Sequence, residues 1–289
     1  MSRASDPAVS VRARALRRQF PAAGWRGLLG EKRGGIRAFD LELCPGECVV
    51  LLGSNGSGKT TALRCLAGLE RPDAGTVEVL GGSPFEPAIR RAIGYVPETS
   101  PLAPERTGRA FLEELAYLGG MERRERKRRC GELLERFGMS EHADRSARGY
   151  SKGQLRRVVL AQAFLRPQRV LLFDEPTSGL DAPGMLLWQE LLDEARRGGA
   201  AIALCSHWGS EALELGDRAL VLENGAVLRE APIAELFADP EVQELVVRGM
   251  RPADLLALGE EIARRGGELL SSGPRRRPLR EVLREIVRP

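Results

Sequence analysis

Three stretches of this chain are apolar at successive positions, and that lack of alternation predicts strands covered on both faces. They are Cys48 to Leu52, Val170 to Phe173 and Ala200 to Ser206. A strand tolerates such a run only inside a sheet with both faces packed, the usual setting of parallel strands. Val11 to Gln19 and Ile93 to Val96 also read as strands. Elsewhere the apolar period lengthens to three and four. Thr60 to Gly68 reads as a helix, and Phe111, Leu112, Leu115 and Leu118 form one packed helix face behind a cap candidate at Thr107. A further helix begins at Ser151. Its apolar residues Leu155, Val158, Val159, Leu160, Ala163 and Phe164 cover most of its circumference, which predicts burial. Strands alternating with helices predict an α/β fold.

Beyond Arg229 the pattern thins. Leu245 to Val247 and Leu269 to Ser271 fit short strands, Leu255, Leu258 and Ile262 form one helical face, and Leu279, Val282, Leu283 and Ile286 form another. Residues 240–289 therefore read as a small C-terminal extension, with self-packing as its default and a regulator or partner subunit as its alternative occupant. Residues 1–10 read as disordered, and no internal repeat is visible.

Composition bounds the picture without deciding it. A chain of 289 residues can bury one large core with a small appendage. It has no run of eighteen apolar residues and no apolar leader at the N-terminus, so a soluble protein is expected. Basic and acidic residues number 44 and 40, a net charge of +4, too slight a bias to predict nucleic-acid binding. The densest basic cluster, Arg123 to Arg129, fits a solvated helix face, with anionic headgroups or an acidic partner helix as the sharper reading. The cysteines (Cys44, Cys48, Cys65, Cys130 and Cys205) are odd in number and scattered, which predicts reduced thiols rather than disulfides or a zinc site.

One segment carries specific chemistry. Gly53-Ser54-Asn55-Gly56-Ser57-Gly58-Lys59-Thr60-Thr61 matches the phosphate-loop pattern G-x-x-x-x-G-K-[ST] between a predicted strand and a predicted helix. The glycines allow backbone N–H groups to turn inward around a phosphate, the helix start adds its dipole, and Lys59 bridges terminal phosphates. Only four lysines occur (Lys32, Lys59, Lys127 and Lys152), so chance predicts about 0.004 matches over the chain. Downstream, Asp174 and Glu175 follow the apolar strand Val170 to Phe173 and emerge at its carboxyl end, where ligands bind in such sheets. Two acids there can serve a hydrated Mg²⁺ and an attacking water, with Thr60 placing its hydroxyl on the ion.

A phosphate loop alone leaves kinases, GTPases, helicases and transporters open. Taken in order, Gly53 to Thr61, Tyr150-Ser151-Lys152-Gly153-Gln154, Val170 to Glu175, Ser178-Gly179-Leu180-Asp181 and His207 resemble the ATP-binding cassette (ABC) ATPases over about residues 10 to 230. The resemblance implies a P-loop NTPase domain at 11–230, with a RecA-like core, an antiparallel β subdomain and a helical subdomain at about 99–165. It implies that Glu175 polarises the attacking water, that His207 senses the γ-phosphate and that Asp181 belongs to a loop at a dimer seam. Ser151, Gly153 and Gln154 stand where the family's signature closes over the nucleotide of the opposite subunit. As a residue type, Ser151 is also a plain helix cap, and the two roles are compatible.

Three departures or ambiguities stay open. Lys152 replaces a signature glycine, so its cation either reaches nucleotide or lies on a solvated face. Glu98, after Ile93-Gly94-Tyr95-Val96-Pro97, stands where most relatives have glutamine, and a carboxylate there can still ligate Mg²⁺. Phe20 matches the aromatic that stacks on adenine, with Trp25 as a competitor. The pairing of P-E with Y-S-K-G is similar to the ABC-2 export branch. The expected function is an ATP-binding and ATP-hydrolysing transporter subunit using ATP and Mg²⁺, paired with a second ATP-binding subunit and driving separate transmembrane permease subunits. A homodimer is favoured because no motif is broken. The resemblance places such a subunit in the cytoplasm, peripheral on the inner face of the cell membrane. The alternative is a soluble ABC ATPase of DNA repair or translation, which would usually carry a long coiled coil or a second cassette.

Overall fold

The computed structural model describes residues 9–21, 32–206, 215–236 and 251–267. Trp25, His207 and the elements expected at 245–247, 269–271 and 279–286 lie outside the described residues. The chain divides into two compact units, Met1–Leu236 and Phe237–Pro289.

Along the first unit run β1 (Val11–Pro21), β2 (Lys32–Leu43), β3 (Cys48–Leu52), α1 (Lys59–Leu66), β4 (Ala74–Val79), α2 (Pro87–Arg90), β5 (Ile93–Val96), α3 (Gly108–Leu118) and α4 (Arg123–Arg136). Then follow α5 (Lys152–Ala161), β6 (Val170–Asp174), α6 (Ala182–Arg197), β7 (Ala201–Ser206), β8 (Arg218–Glu223), β9 (Ala226–Pro232) and α7 (Ile233–Leu236). In the second unit, α8 (Pro252–Arg264) carries proline in its first turn, the helix position that needs no backbone donor.

The described strands form one sheet in the order β4-β1-β2-β9-β8-β3-β7-β6-β5. From β8 to β5 every neighbour is parallel. At the other end, β1 pairs antiparallel with both β2 and β4, and β9 antiparallel with β8. This is the α/β plan expected, with a RecA-like parallel core and an antiparallel β subdomain. Pairing begins just ahead of β1. Ser10, counted in the disordered N-terminus on sequence grounds, donates to the Leu43 carbonyl at 2.8 Å and accepts from Leu80 N–H at 2.8 Å.

The unbroken apolar runs split by the period-two rule of a strand. Val50, Leu52, Leu171, Phe173, Ile202 and Leu204 enter one core with Leu112, Leu133, Val159 and Trp188 of α3 to α6. Val49, Leu51, Val170, Leu172, Ala203 and Cys205 enter a second core with Leu63 and Leu66 of α1 and with Leu16, Ile36 and Phe39 of β1 and β2. Phe173 meets Trp188 edge-on, with centroids 5.9 Å apart. Each run is therefore apolar because each face has its own layer. The carboxyl ends of β3, β5, β6 and β7 consequently lie along one rim, fixed from both sides, and the candidate residues sit there.

Candidate functional site

The phosphate loop leaves β3 and closes at the start of α1. Its glycines are required by geometry at two points. Gly58, at φ 105°, caps α1, and a Cβ there would stand 2.6 Å from the Gly35 carbonyl oxygen. At Gly53, φ 155°, a Cβ would stand 2.3 Å from the Leu222 carbonyl oxygen. The cap carries no side-chain acceptor, so the first N–H groups of α1 point outward with the helix dipole behind them, as an anion requires. Lys59 is 6% exposed and donates from Nζ to the Gly53 carbonyl at 2.7 Å and the Ser54 carbonyl at 3.2 Å. Two of its three donors thus hold the loop. Ser54, Asn55, Gly56 and Thr60 are exposed along the rim, whereas Ser57 is buried. The hairpin between β8 and β9 supports the loop from behind, with Gly225 N–H donating to the Ser57 carbonyl at 3.0 Å. That hairpin turns at Asn224-Gly225, both at positive φ, the signature of a tight two-residue turn.

The acids stand beside this loop. Asp174, 2% exposed, ends β6, with the Thr60 hydroxyl and the Cys205 thiol close enough to favour its charged form. Burial lifts its carboxyl above the usual carboxylate range and the negative charge of Glu98 adds to the lift, while Thr60, Cys205 and Lys59 pull the other way. Glu98 reaches this point because β5 runs parallel to β6, with Val96 opposite Phe173. Glu175, 8% exposed, is held at φ 47°. A left-handed backbone at a residue other than glycine costs about 1–3 kcal/mol and persists only where the surroundings enforce it. Its N–H donates to the Cys205 carbonyl at 3.2 Å.

The oxygen donors here fit a small hard cation. Two carboxylates whose charges oppose each other, with a hydroxyl against one of them, form an all-oxygen set suited to Mg²⁺. Among the described residues no cluster of three or more His, Cys, Asp or Glu forms a cage.

A second group forms at the start of α5. Ser151 caps the helix by a capping box: its Oγ accepts from Gln154 N–H at 3.1 Å, and Gln154 Oε1 accepts from Ser151 N–H at 3.0 Å. Gln154 is thereby committed to the cap through this oxygen. Gly153 packs against the 178–181 loop, where a Cβ would meet the Gly179 carbonyl oxygen at 3.3 Å. The Lys152 stem covers Gly179, itself at φ 81°. Asp181 caps α6 through Gly184 N–H and accepts from Arg157 Nη2 at 2.6 Å. Partial burial pushes its carboxyl up, but Arg157 and the Gly184 N–H outweigh this and hold it below the usual carboxylate range. Ser151 and Lys152 are exposed.

The structure therefore gathers Gly53 to Thr61, Glu98, Asp174 and Glu175 in one group, and Ser151 to Gln154 with Asp181 in another. Phe20 lies near the first group through the backbone: Gln19 pairs with Gly35, whose carbonyl backs onto Gly58. Its ring is half-buried, with the Arg18 guanidinium 4.9 Å from the centroid. Sequence reasoning missed Arg156. This arginine of α5 is 6% exposed and its hydrogen bonds among the described residues go to backbone carbonyls, those of Pro97, Glu98, Asp174, Glu175 and Pro176. Burial lowers its guanidinium to about 10, against the opposing pull of Asp174, Glu98 and Glu175. An ionic residue in an otherwise apolar stripe was the available signal.

Known proteins resemble this chain in sequence and fold. Residues 36–178 match a protein family described as ABC transporter. The chain is 36% identical to an uncharacterised ABC transporter ATP-binding protein, YxlF, of Bacillus subtilis over 66% of this chain and 63% of that relative, somewhat less than two thirds of its length. It is 37% identical to the daunorubicin resistance ATP-binding protein DrrA3 of Streptomyces coeruleorubidus, over 73% of this chain and 67% of the other. With the Nod factor export ATP-binding protein I of Paraburkholderia xenovorans it shares 36% identity, over 79% and 75%. Among solved structures, the dimeric ATP-binding cassette MJ0796 in a post-hydrolysis state bound to ADP and Pi superposes with a TM-score of 0.67 at 27% identity, covering 77% of this chain and 98% of the other.

Proposed function

This chain belongs to the ATP-binding proteins of ABC transporters, and from that premise we propose that it binds and hydrolyses ATP as one of two paired subunits that drive a separate membrane permease of the export class. The observation that carries the reading is the meeting of the phosphate loop with the acidic strand end, where Thr60 and Lys59 both lie close enough to Asp174 to favour its charged form. DrrA3 and the Nod factor protein, named for drug resistance and for export, support the export assignment.

In this reading the N–H groups at the start of α1 and the loop from Gly53 to Gly58 bind the β-phosphate, and Phe20 stacks on the base. Lys59 turns its remaining donor toward the terminal phosphates. Thr60, Asp174 and Glu98 would hold Mg²⁺, which when bound would supply positive charge against the transferred phosphoryl group. Glu175 accepts a hydrogen bond from the attacking water and orients it, its carboxylate held at the rim by the left-handed turn after β6. His207 contacts the γ-phosphate. Ser151 and Gly153, exposed or half-exposed at the start of α5, close over the nucleotide of the opposite subunit with the loop ending at Asp181. Two chains sandwiching two nucleotides would then convert hydrolysis into separation of the pair, and separation into movement of the permease. No described helix is long and apolar enough to cross a membrane.

The test is Mg²⁺-dependent ATP hydrolysis by the wild-type chain and by Glu175→Gln. Loss of the oriented acid is expected to lower kcat by about 100-fold or more while ATP binding persists and a dimer accumulates. Wild-type turnover in the variant would overturn the assignment.

A further inference from the structure

Neither phosphate binding nor the acids' chemistry accounts for Arg156. Its guanidinium has five N–H donors, and they meet five backbone carbonyls. Nη1 donates to Pro97 at 2.7 Å and Glu98 at 3.2 Å, Nη2 to Asp174 at 2.9 Å and Glu175 at 2.6 Å, and Nε to Pro176 at 3.1 Å. These carbonyls belong to the two segments that carry all three acids, one just after β5 and one at the end of β6 and just beyond it. The arginine itself rides on α5, five residues beyond the Ser151 cap, on a helix whose Val158, Val159 and Leu160 are fully buried. A helix rises about 1.5 Å per residue, so roughly 7.5 Å of rigid rod separates the exposed cap from the buried guanidinium. A lysine, with three donors on a point charge, can meet at most three of these five carbonyls and lacks the planar fork.

We propose that Arg156 is a positioning residue that makes the placement of this subunit's acids depend on the seating of α5, the helix whose start serves the opposite subunit. The proposal rests on the two-subunit reading of the proposed function. When the cap at Ser151 meets a phosphate, any displacement of α5 along its axis moves the guanidinium and with it the carbonyls of Glu98, Asp174 and Glu175. Glu175 is the point most open to such control, because a left-handed backbone is maintained only by its surroundings, and the bond from Arg156 to its carbonyl is the shortest of the five.

The experiment compares the wild-type full chain with Arg156→Gln and Arg156→Lys. Three quantities are read: kcat and KM for ATP, the cooperativity of hydrolysis in ATP, and the Mg²⁺ concentration that half-saturates binding of a fluorescent ATP analogue. Misplaced acids are expected to lower kcat about 10-fold in Arg156→Gln with KM within about threefold, to raise the Mg²⁺ midpoint by about threefold and to reduce cooperativity, with partial recovery in Arg156→Lys. A lowered melting temperature with kcat, Mg²⁺ midpoint and cooperativity all within about twofold of wild type would overturn the proposal, since it would leave Arg156 a packing role only. Should Arg156→Gln lack a cooperative melt, Arg156→Lys, which keeps the charge, is read by the same three quantities, and wild-type values in it overturn the proposal equally. Wild-type hydrolysis by Glu175→Gln would remove the underlying reading, whereas wild-type hydrolysis by Arg156→Gln beside an inactive Glu175→Gln would remove this proposal alone.

Discussion

The two groups of candidate residues differ most in what surrounds them. Lys59, Asp174 and Glu175 are nearly buried, and loop, hairpin and strands position them from several sides. Ser151 and Lys152 are exposed, and their partners are local: a cap, a glycine, the loop before α6. A site that must hold charge tightly benefits from fixed dipoles and low dielectric, which only a folded interior supplies. A surface that must meet another molecule benefits from being preformed but open. Under the proposed two-subunit reading, the contrast corresponds to a finished half-site for the chain's own nucleotide and a presented half-site for another. It can be broken at either end.

The largest effect should come from the interior. Lys59→Ala removes a buried cation that both ties the loop to the Gly53 and Ser54 carbonyls and is placed to meet phosphates. Charge-assisted bonds of this kind are worth about 1.5–3 kcal/mol each, so ATP affinity by equilibrium titration should fall about 100-fold. Affinity within twofold of wild type would mean the loop is not the nucleotide's seat, and the contrast between the groups would collapse.

An intermediate effect belongs to the exposed group. Ser151→Ala removes an N-cap worth about 1 kcal/mol and, in the proposed dimer, a donor to the opposite nucleotide. Turnover should drop about 10-fold while ATP affinity of the dilute monomer stays within about twofold. A monomer that loses affinity would show the groups to be one site within a single chain.

How much of this could be read from the letters depends on where the partners lie. The phosphate loop was legible because its backbone excludes side chains at Gly53 and Gly58, and the buried strands because two-sided packing leaves no polar positions. The capping box was legible as Ser151-x-x-Gln154, although the family resemblance drew Gln154 toward nucleotide instead. The Arg157–Asp181 pair joins residues with no short-range pattern between them, and the left-handed turn at Glu175 has no glycine to announce it. Arg156 was hidden more deeply. Its partners are main-chain carbonyls, which every residue has, so only the fold shows that five of them converge.

The smallest expected effect sharpens the contrast through that pair. Asp181→Asn keeps a good N-cap for α6 but weakens the charged bond from Arg157, and since the Asp181 side chain is 55% exposed the pair is well screened. Urea unfolding at pH 7 should show a loss below about 1 kcal/mol. Because the folded carboxyl lies below its ordinary 3.8, the unfolded chain binds the proton first as pH falls. The pair's stabilisation is thus present above that ordinary value and disappears as pH drops through the folded one. The difference between wild type and variant should therefore shrink in acid, and ATP affinity of the dilute monomer should not change at any pH in between. A gap that persisted below the carboxylate range would assign the stabilisation to the cap rather than to Arg157. A change in monomer affinity would instead carry Asp181 across to the interior group, and with it the loop that the proposed partner is meant to meet.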